Sequence, residues 1–336
     1  MVLVRPRSVR MTATPAPPPS RAAADVPAHP TGIPPHSGAD LPPHSGARHP
    51  DRSGERDPES VFDPFALFAR FFDDAALFPP GNAPMAAAVP AFLDRLATPH
   101  APLVGPFIAP AARLAEVAAH LRPAGPPLDI ALIAAPADLP AAVDKIDKTP
   151  GMRLVAVEAP VAVDAAHTRS AVRVIADSLP PGLPAAVEVP RTAARDEVLD
   201  ALAGTRCRAK LRTGGVRADL FPPVEELAAT IRACITRSVA FKCTAGLHHA
   251  VRHTDPATGF DHHGFLNVLL AAAHPDAAET HLARTDAARI AADLRAWSPA
   301  TAVRARAAFT GFGTCDLADP VNDLAHLGLL PERYPA

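Results

Sequence analysis

Two strand-length runs, Arg208-Ala209-Lys210-Leu211-Arg212 and Val239-Ala240-Phe241-Lys242-Cys243-Thr244, bracket a helix-length amphipathic stretch over Val224–Thr236. Side chains alternate between the two faces of a strand. Arg208, Lys210 and Arg212 therefore share one face of the first run, and Lys242 and Thr244 lie opposite Phe241 and Cys243 in the second. Strand, helix and strand in this order form a βαβ unit with parallel strands. An open parallel sheet covered by helices is apolar on both faces, so it has no place for these cations. A closed barrel has one, because its interior opens at the carboxyl ends of the strands.

The same rhythm extends in both directions. Strand-like runs at Leu103–Ala109, Leu128–Ala134, Arg153–Glu158, Ala185–Val189 and Ala307–Phe312 alternate with helix-like stretches at 86–96, 111–121, 139–145, 168–178, 193–203, 265–273 and 320–327. Seven strands are clear, and the weak place for an eighth is Glu279–Arg284. Eight repeats close a (β/α)8 TIM-like barrel, expected over residues 59–336. An open doubly wound sheet is the alternative, but its first turn lacks the GxGxxG fingerprint.

Two further strands carry a charge where an apolar residue belongs. Glu158 and Ala156 oppose Val155 and Val157, and Glu188 opposes Val187 and Val189. If Val, Leu and Phe face the helices, then Glu158, Glu188, Lys210, Arg212 and Lys242 converge inside the barrel mouth, where barrel enzymes place their chemistry. The turns Thr213-Gly214-Gly215 and Thr244-Ala245-Gly246 follow two of these strands and suit a phosphate or carboxylate beside Arg212 and Lys242.

A desolvated lysine beside a second cation has a lowered pKa and attacks carbonyls as a free amine. The run Phe241-Lys242-Cys243-Thr244-Ala245-Gly246 resembles the Schiff-base strand of the deoxyribose-phosphate aldolases, and Lys210–Arg217 is similar to that family's second lysine strand. The two strands come in the opposite order here. The resemblance implies a barrel aldolase with Lys242 as the Schiff-base residue. Thr244–His249 and Phe260–Asn267 resemble segments of uncharacterised actinobacterial proteins, which implies no activity.

Five of the 15 histidines, His248, His249, His253, His262 and His263, fall within one short segment. His248 suits general acid–base work and His249 a substrate contact. Alternatively His248, His249, His262 and His263, with Glu158 or Glu188, would hold a divalent metal, although the spacing matches neither HExxH nor a zinc finger. Asn267 either aims an amide at the substrate or caps a helix. Cys315 reads as a small buried residue, with a reactive thiolate near a helix N-terminus as the alternative, and Asp73-Asp74 as a helix cap or part of a lid.

Residues 1–58 are rich in Pro, Ala, Ser and His and repeat Pro-Pro-His-Ser-Gly-Ala at 34–39 and 42–47, so a disordered tail is expected. Net charge is −2, from 33 basic and 35 acidic residues, which gives no electrostatic reason to expect nucleic acid or a membrane surface as partner. Four scattered cysteines without a CxxC pair fit a reducing cytoplasm. The expectation is a cytoplasmic barrel lyase, aldolase-like, acting on a small phosphorylated or carboxylated carbonyl compound without a fixed cofactor. A metal-dependent hydrolase or isomerase, and a non-catalytic anion-binding barrel, are the alternatives.

Overall fold

The computed structural model describes residues 64–123, 125–160 and 163–331; the expected tail of residues 1–58 lies outside them. Eight parallel strands close into a barrel: β1 (Phe72–Asp74), β2 (Val104–Pro110), β3 (Leu128–Ile133), β4 (Met152–Ala159), β5 (Ala185–Glu188), β6 (Cys207–Arg212), β7 (Phe241–Thr244) and β10 (Phe309–Thr314). β10 pairs with both β7 and β1 and closes the ring. The short strands β8 (His253–Thr254) and β9 (Asp261–His262) form an antiparallel hairpin in the loop after β7.

The helices are α1 (Pro64–Leu67), α2 (Met85–Arg95), α3 (Leu114–Ala118), α4 (Leu139–Asp147), α5 (Ala165–Ser178), α6 (Arg195–Leu202) and α7 (Val224–Thr236). They continue as α8 (Phe265–Ala273), α9 (Ala278–Ala283), α10 (Ala287–Arg295), α11 (Pro299–Ala308) and α12 (Ala318–His326). The fold is thus the expected TIM-like α/β barrel. Among the described residues no helix is long and apolar enough to cross a membrane.

One expectation is corrected. Glu279–Arg284 is not a strand: Ala278–Ala283 is helix α9. The eighth strand is β1, at the opposite end of the barrel sequence. It has only three residues, Phe-Asp-Asp, so it offers no alternation to read, and its two carboxylates imitate a helix cap. The clustered phenylalanines just before β1 are helical only at their start. Phe65 and Phe68 belong to α1 and its turn, Arg70 takes a positive φ of 48°, and Phe71–Phe72 lead into β1.

Those phenylalanines anchor the seam where the barrel closes. The Phe71 ring meets Phe72, Phe265, Phe309 and Phe312 edge-on or tilted at 5.0–6.4 Å between centroids. All five side chains are buried. Each contributes about 1.5–3 kcal/mol by leaving water. With a short β1, this packing rather than a long ladder of hydrogen bonds holds the first stave. The inner wall is unusual in the other direction: Ala156, Ala186, Pro106 and Gly311 are small, and they leave a cavity of about 150 Å³ in the lower half of the barrel. Barrel interiors are normally filled by bulky branched side chains.

Candidate active site

The alternation on β4 to β7 carries through to three dimensions. Glu158, Glu188, Lys210 and Lys242 all point into the barrel and are no more than 9% exposed. They form one alternating chain of charge. Lys242 donates to Asp73 Oδ2 at 2.5 Å and to Glu158 Oε1. Lys210 donates to Glu158 Oε2 at 3.1 Å and pairs with Glu188 Oε2 at 3.0 Å. Arg212 donates from Nε and Nη2 to Glu188 Oε1 at 3.2 and 3.1 Å. Lys210 and Lys242 are register partners on β6 and β7, and the shared carboxylate of Glu158 between them, with Asp73 and Glu188 on either side, allows two ammonium groups to sit this close. Asp73, Glu158 and Glu188 balance Lys242, Lys210 and Arg212 one for one.

The electrostatics correct the expected chemistry of Lys242. Burial pulls its pKa down, but Asp73 and Glu158 outweigh burial and hold it above the ordinary lysine value. Lys210 therefore does not set the charge on Lys242; two carboxylates do. Burial pushes Glu158 up, yet Lys242 and Lys210 together bring it to about 2, so it is ionised. Asp73 goes the other way: burial raises it despite Lys242, with the Glu158 charge adding to the rise. Of the two carboxylates on Lys242, Asp73 is the one that takes a proton.

Asp73 escapes a reading by strand pattern because β1 is too short to show one. The backbone makes room for it. A Cβ on Gly105 of β2 would lie 2.0 Å from Asp73 Oδ1. Asp74 is bound differently. It accepts from the Ala76 N–H at 2.9 Å and pairs with Arg95, and burial raises its pKa to about 6. Below the charge chain, Arg208 donates to Thr310 Oγ1 at 2.8 Å and lines the lower cavity with Asp73, Glu158 and Lys242.

Above it, a mouth cavity of about 230 Å³ is lined by Glu158, Arg212, Thr244, His248 and Cys315 among apolar neighbours such as Ile108, Ile133 and Leu220. Glu158 borders both cavities. Lys242 borders the lower one, and Lys210 borders neither. The mouth continues into an outer cleft of about 420 Å³, walled by His248, His249, His253, His262, Asp255 and Asp319.

The glycine turns have a packing reason to be glycine. Gly246 has φ +79°, and a Cβ there would lie 2.7 Å from Gly214 Cα; one on Gly215 would meet Leu220 Cδ1 at 2.4 Å. Thr213 is fully buried and donates its hydroxyl to the Ala245 carbonyl at 2.5 Å, locking the two loops together. Gly215, Thr244 and Gly246 border the mouth; Thr213 and Gly214 do not.

The histidines divide into separate roles. His263 is fully buried and sits 2.7 Å from the Pro222 carbonyl through Nε2; burial lowers its pKa to about 4, so Nε2–H of the neutral ring is the donor. His249 pairs with Asp323 at 3.2 Å, and that hydrogen bond raises its pKa. The His262 ring lies tilted beside Phe221 and His253, and burial lowers its pKa. Among the described residues no three His, Cys, Asp or Glu side chains converge as a metal site, so the expected His248, His249, His262 and His263 set is not assembled. Asn267 is buried and fully used: Nδ2 donates to the His281 and Arg284 carbonyls, and Oδ1 accepts from the Arg252 N–H. It staples α8 to the loops and borders neither the lower cavity, the mouth nor the outer cleft.

At the mouth, His248 Nε2 lies 3.6 Å from Cys315 Sγ, and Nδ1 lies 3.1 Å from Asp319 Oδ2 and 3.3 Å from Thr314 Oγ1. His248 comes from the β7 loop, Thr314 and Cys315 from the end of β10 and the residue after it, and Asp319 from the first turn of α12, up to 71 residues apart, so spacing alone gives no sign of the group. No protein-family model, no curated protein and no solved structure matches this chain.

Proposed function

We propose that the barrel is a lyase, aldolase-like in chemistry, acting on a small carbonyl compound that carries a carboxylate or phosphate, with Lys242 as the amine. The observation behind this reading is the placement of Lys242 between an ionised Glu158 and a proton-accepting Asp73 at the edge of a cavity. Lys242 rests as an ammonium and is not yet a nucleophile. Asp73 removes its proton, and the free amine attacks the carbonyl carbon to give a carbinolamine. Asp73 returns the proton to the leaving hydroxyl, water departs, and an iminium remains on Lys242.

Glu158 then faces that cation with its charge already in place, which stabilises the intermediate without rearrangement. Cleavage of the neighbouring carbon–carbon bond sends its electron pair into the iminium. Asp73, again a carboxylate, takes the hydroxyl proton. Lys210 and Glu188 hold Glu158 and Arg212 in position, and Arg212 at the mouth is the partner for the anionic group.

Borohydride trapping across a panel of phosphorylated aldehydes and 2-keto acids tests the reading. A reduced adduct mapped to Lys242, lost in Lys242→Met and slowed in Asp73→Asn, is the expected result. An adduct on another lysine, or none across the panel, overturns it. A second reading has one observation in its favour: two carboxylates keep Lys242 charged, as a pure anion-binding site would need. Thermal stabilisation by the same compounds without any adduct selects that reading.

A further inference from the structure

The charge chain leaves the Cys315, His248 and Asp319 group at the mouth without a role. We infer that these residues form a second, thiol-based catalytic group that hydrolyses an ester or thioester of a small acid bound in the mouth cavity. This group does not depend on Lys242. His248 Nδ1 stands 3.1 Å from Asp319 Oδ2, so the neutral ring carries its proton there and turns the Nε2 lone pair towards Cys315 Sγ, 3.6 Å away. That is the tautomer a base needs. Asp319 touches no substrate and is a positioning residue.

Cys315 borders both the mouth cavity and the outer cleft, so an acyl group can lie in one and its leaving group in the other. Arg212 faces the acyl side. It spends Nε and Nη2 on Glu188, and its Nη1 has no partner among the described residues. An acid carrying a carboxylate or phosphate therefore has a cation to meet. Cys207, Cys234 and Cys243 are buried, which leaves Cys315 as the accessible thiol.

Burial holds the Cys315 thiol above its ordinary pKa, with the Gly81 N–H working against it. The Cys315 sulfur thus rests as a thiol. As sulfur bonds to the acyl carbon, His248 Nε2 takes the thiol proton and the carbonyl π pair moves to oxygen. When that pair returns, the bond to the leaving alkoxide or thiolate breaks, and His248 gives it the proton. Water, deprotonated by His248, then attacks the acyl-Cys315 carbonyl. The acid departs and the proton returns to sulfur.

The test uses the full chain with iodoacetamide and with 4-nitrophenyl acetate. Peptide mapping is expected to place first alkylation on Cys315. His248→Gln is expected to slow it about 100-fold near neutral pH, the scale of general-base assistance. Asp319→Asn, which keeps the shape but permits the wrong tautomer, is expected to move the pH–rate profile as well as lower the rate. The ester is expected to release a burst of one nitrophenolate per chain and to leave an acetyl group on Cys315, with the burst lost in Cys315→Ala. Alkylation rates unchanged in His248→Gln, or a burst that survives Cys315→Ala, would overturn the assignment. Unfolding curves matching the parent chain make sure that a lost burst is not lost fold; Cys315→Ser serves if Cys315→Ala fails that check.

Discussion

Glu158 decides the electrostatics of the site. Two ammonium groups on neighbouring strands repel, and its carboxylate converts that repulsion into two ion pairs inside the protein. Removing one partner of such a buried network costs about 3–5 kcal/mol, because the remaining charge has no water to turn to. Titration of individual residues carries a further prediction. The Glu158 carboxylate, at about 2 when folded against 4.5 ordinarily, stabilises the fold above pH 4.5 and loses that contribution as pH falls towards 2. His263, near 4 when folded against 6.5, stabilises above pH 6.5 and loses it on the way down to 4. Asp74, near 6 against 3.8, has the opposite sign and gains between 6 and 3.8, and Asp73 works in the same direction. Urea midpoints are expected to change little from pH 6.5 to 4.5, where the aspartates offset His263, and to fall below about 3.8 as Glu158 takes its proton. In His263→Gln the flat region should instead rise as pH drops from 6 to 4.5. A His263→Gln profile identical to that of the parent chain contradicts this assignment.

The short strand β1 does more than its length suggests. It closes the barrel and brings Asp73 to Lys242 across 169 residues of sequence. Its neighbour β2 cooperates by placing Gly105 beside the Asp73 carboxylate. Gly105→Ala is expected to force Asp73 off Lys242 and to destabilise the fold by about 1–3 kcal/mol, the usual cost of overpacking a filled interior. Lys242 trapping should fall with it. Wild-type stability and trapping in that variant would mean that Asp73 does not hold the lysine. The loops after β6 and β7 follow a similar logic, since their glycines permit Gly214 and Gly246 to touch.

At the scale of the molecule, the barrel is legible in the sequence wherever strands are long enough to alternate. Seven of the eight barrel strands are found where their patterns place them, and the inward charges on β4 to β7 follow from period-2 geometry alone. β1 escapes because three residues carry no period. The sign of the Lys242 shift escapes because Asp73, one of the two carboxylates that cause it, lies on that strand. His248 comes from the loop after β7, while Cys315 and Asp319 flank the start of α12 up to 71 residues on, a separation that no local pattern bridges. Asn267 and Thr213 look like ligand contacts in a sequence, but in the fold their polar atoms are spent on backbone carbonyls and amides. The common limit is physical: local patterns fix faces, while partners across the barrel are fixed only by closure.

The buried charge chain stands or falls on the coupling between Lys242 and Glu158. A double-mutant cycle of Lys242→Met and Glu158→Gln, read by urea unfolding at pH 7, is expected to give an interaction energy of about 2 kcal/mol or more, in the range of contacting network residues. A value below about 0.5 kcal/mol, the range of independent sites, would contradict the charge chain on which the proposed chemistry rests.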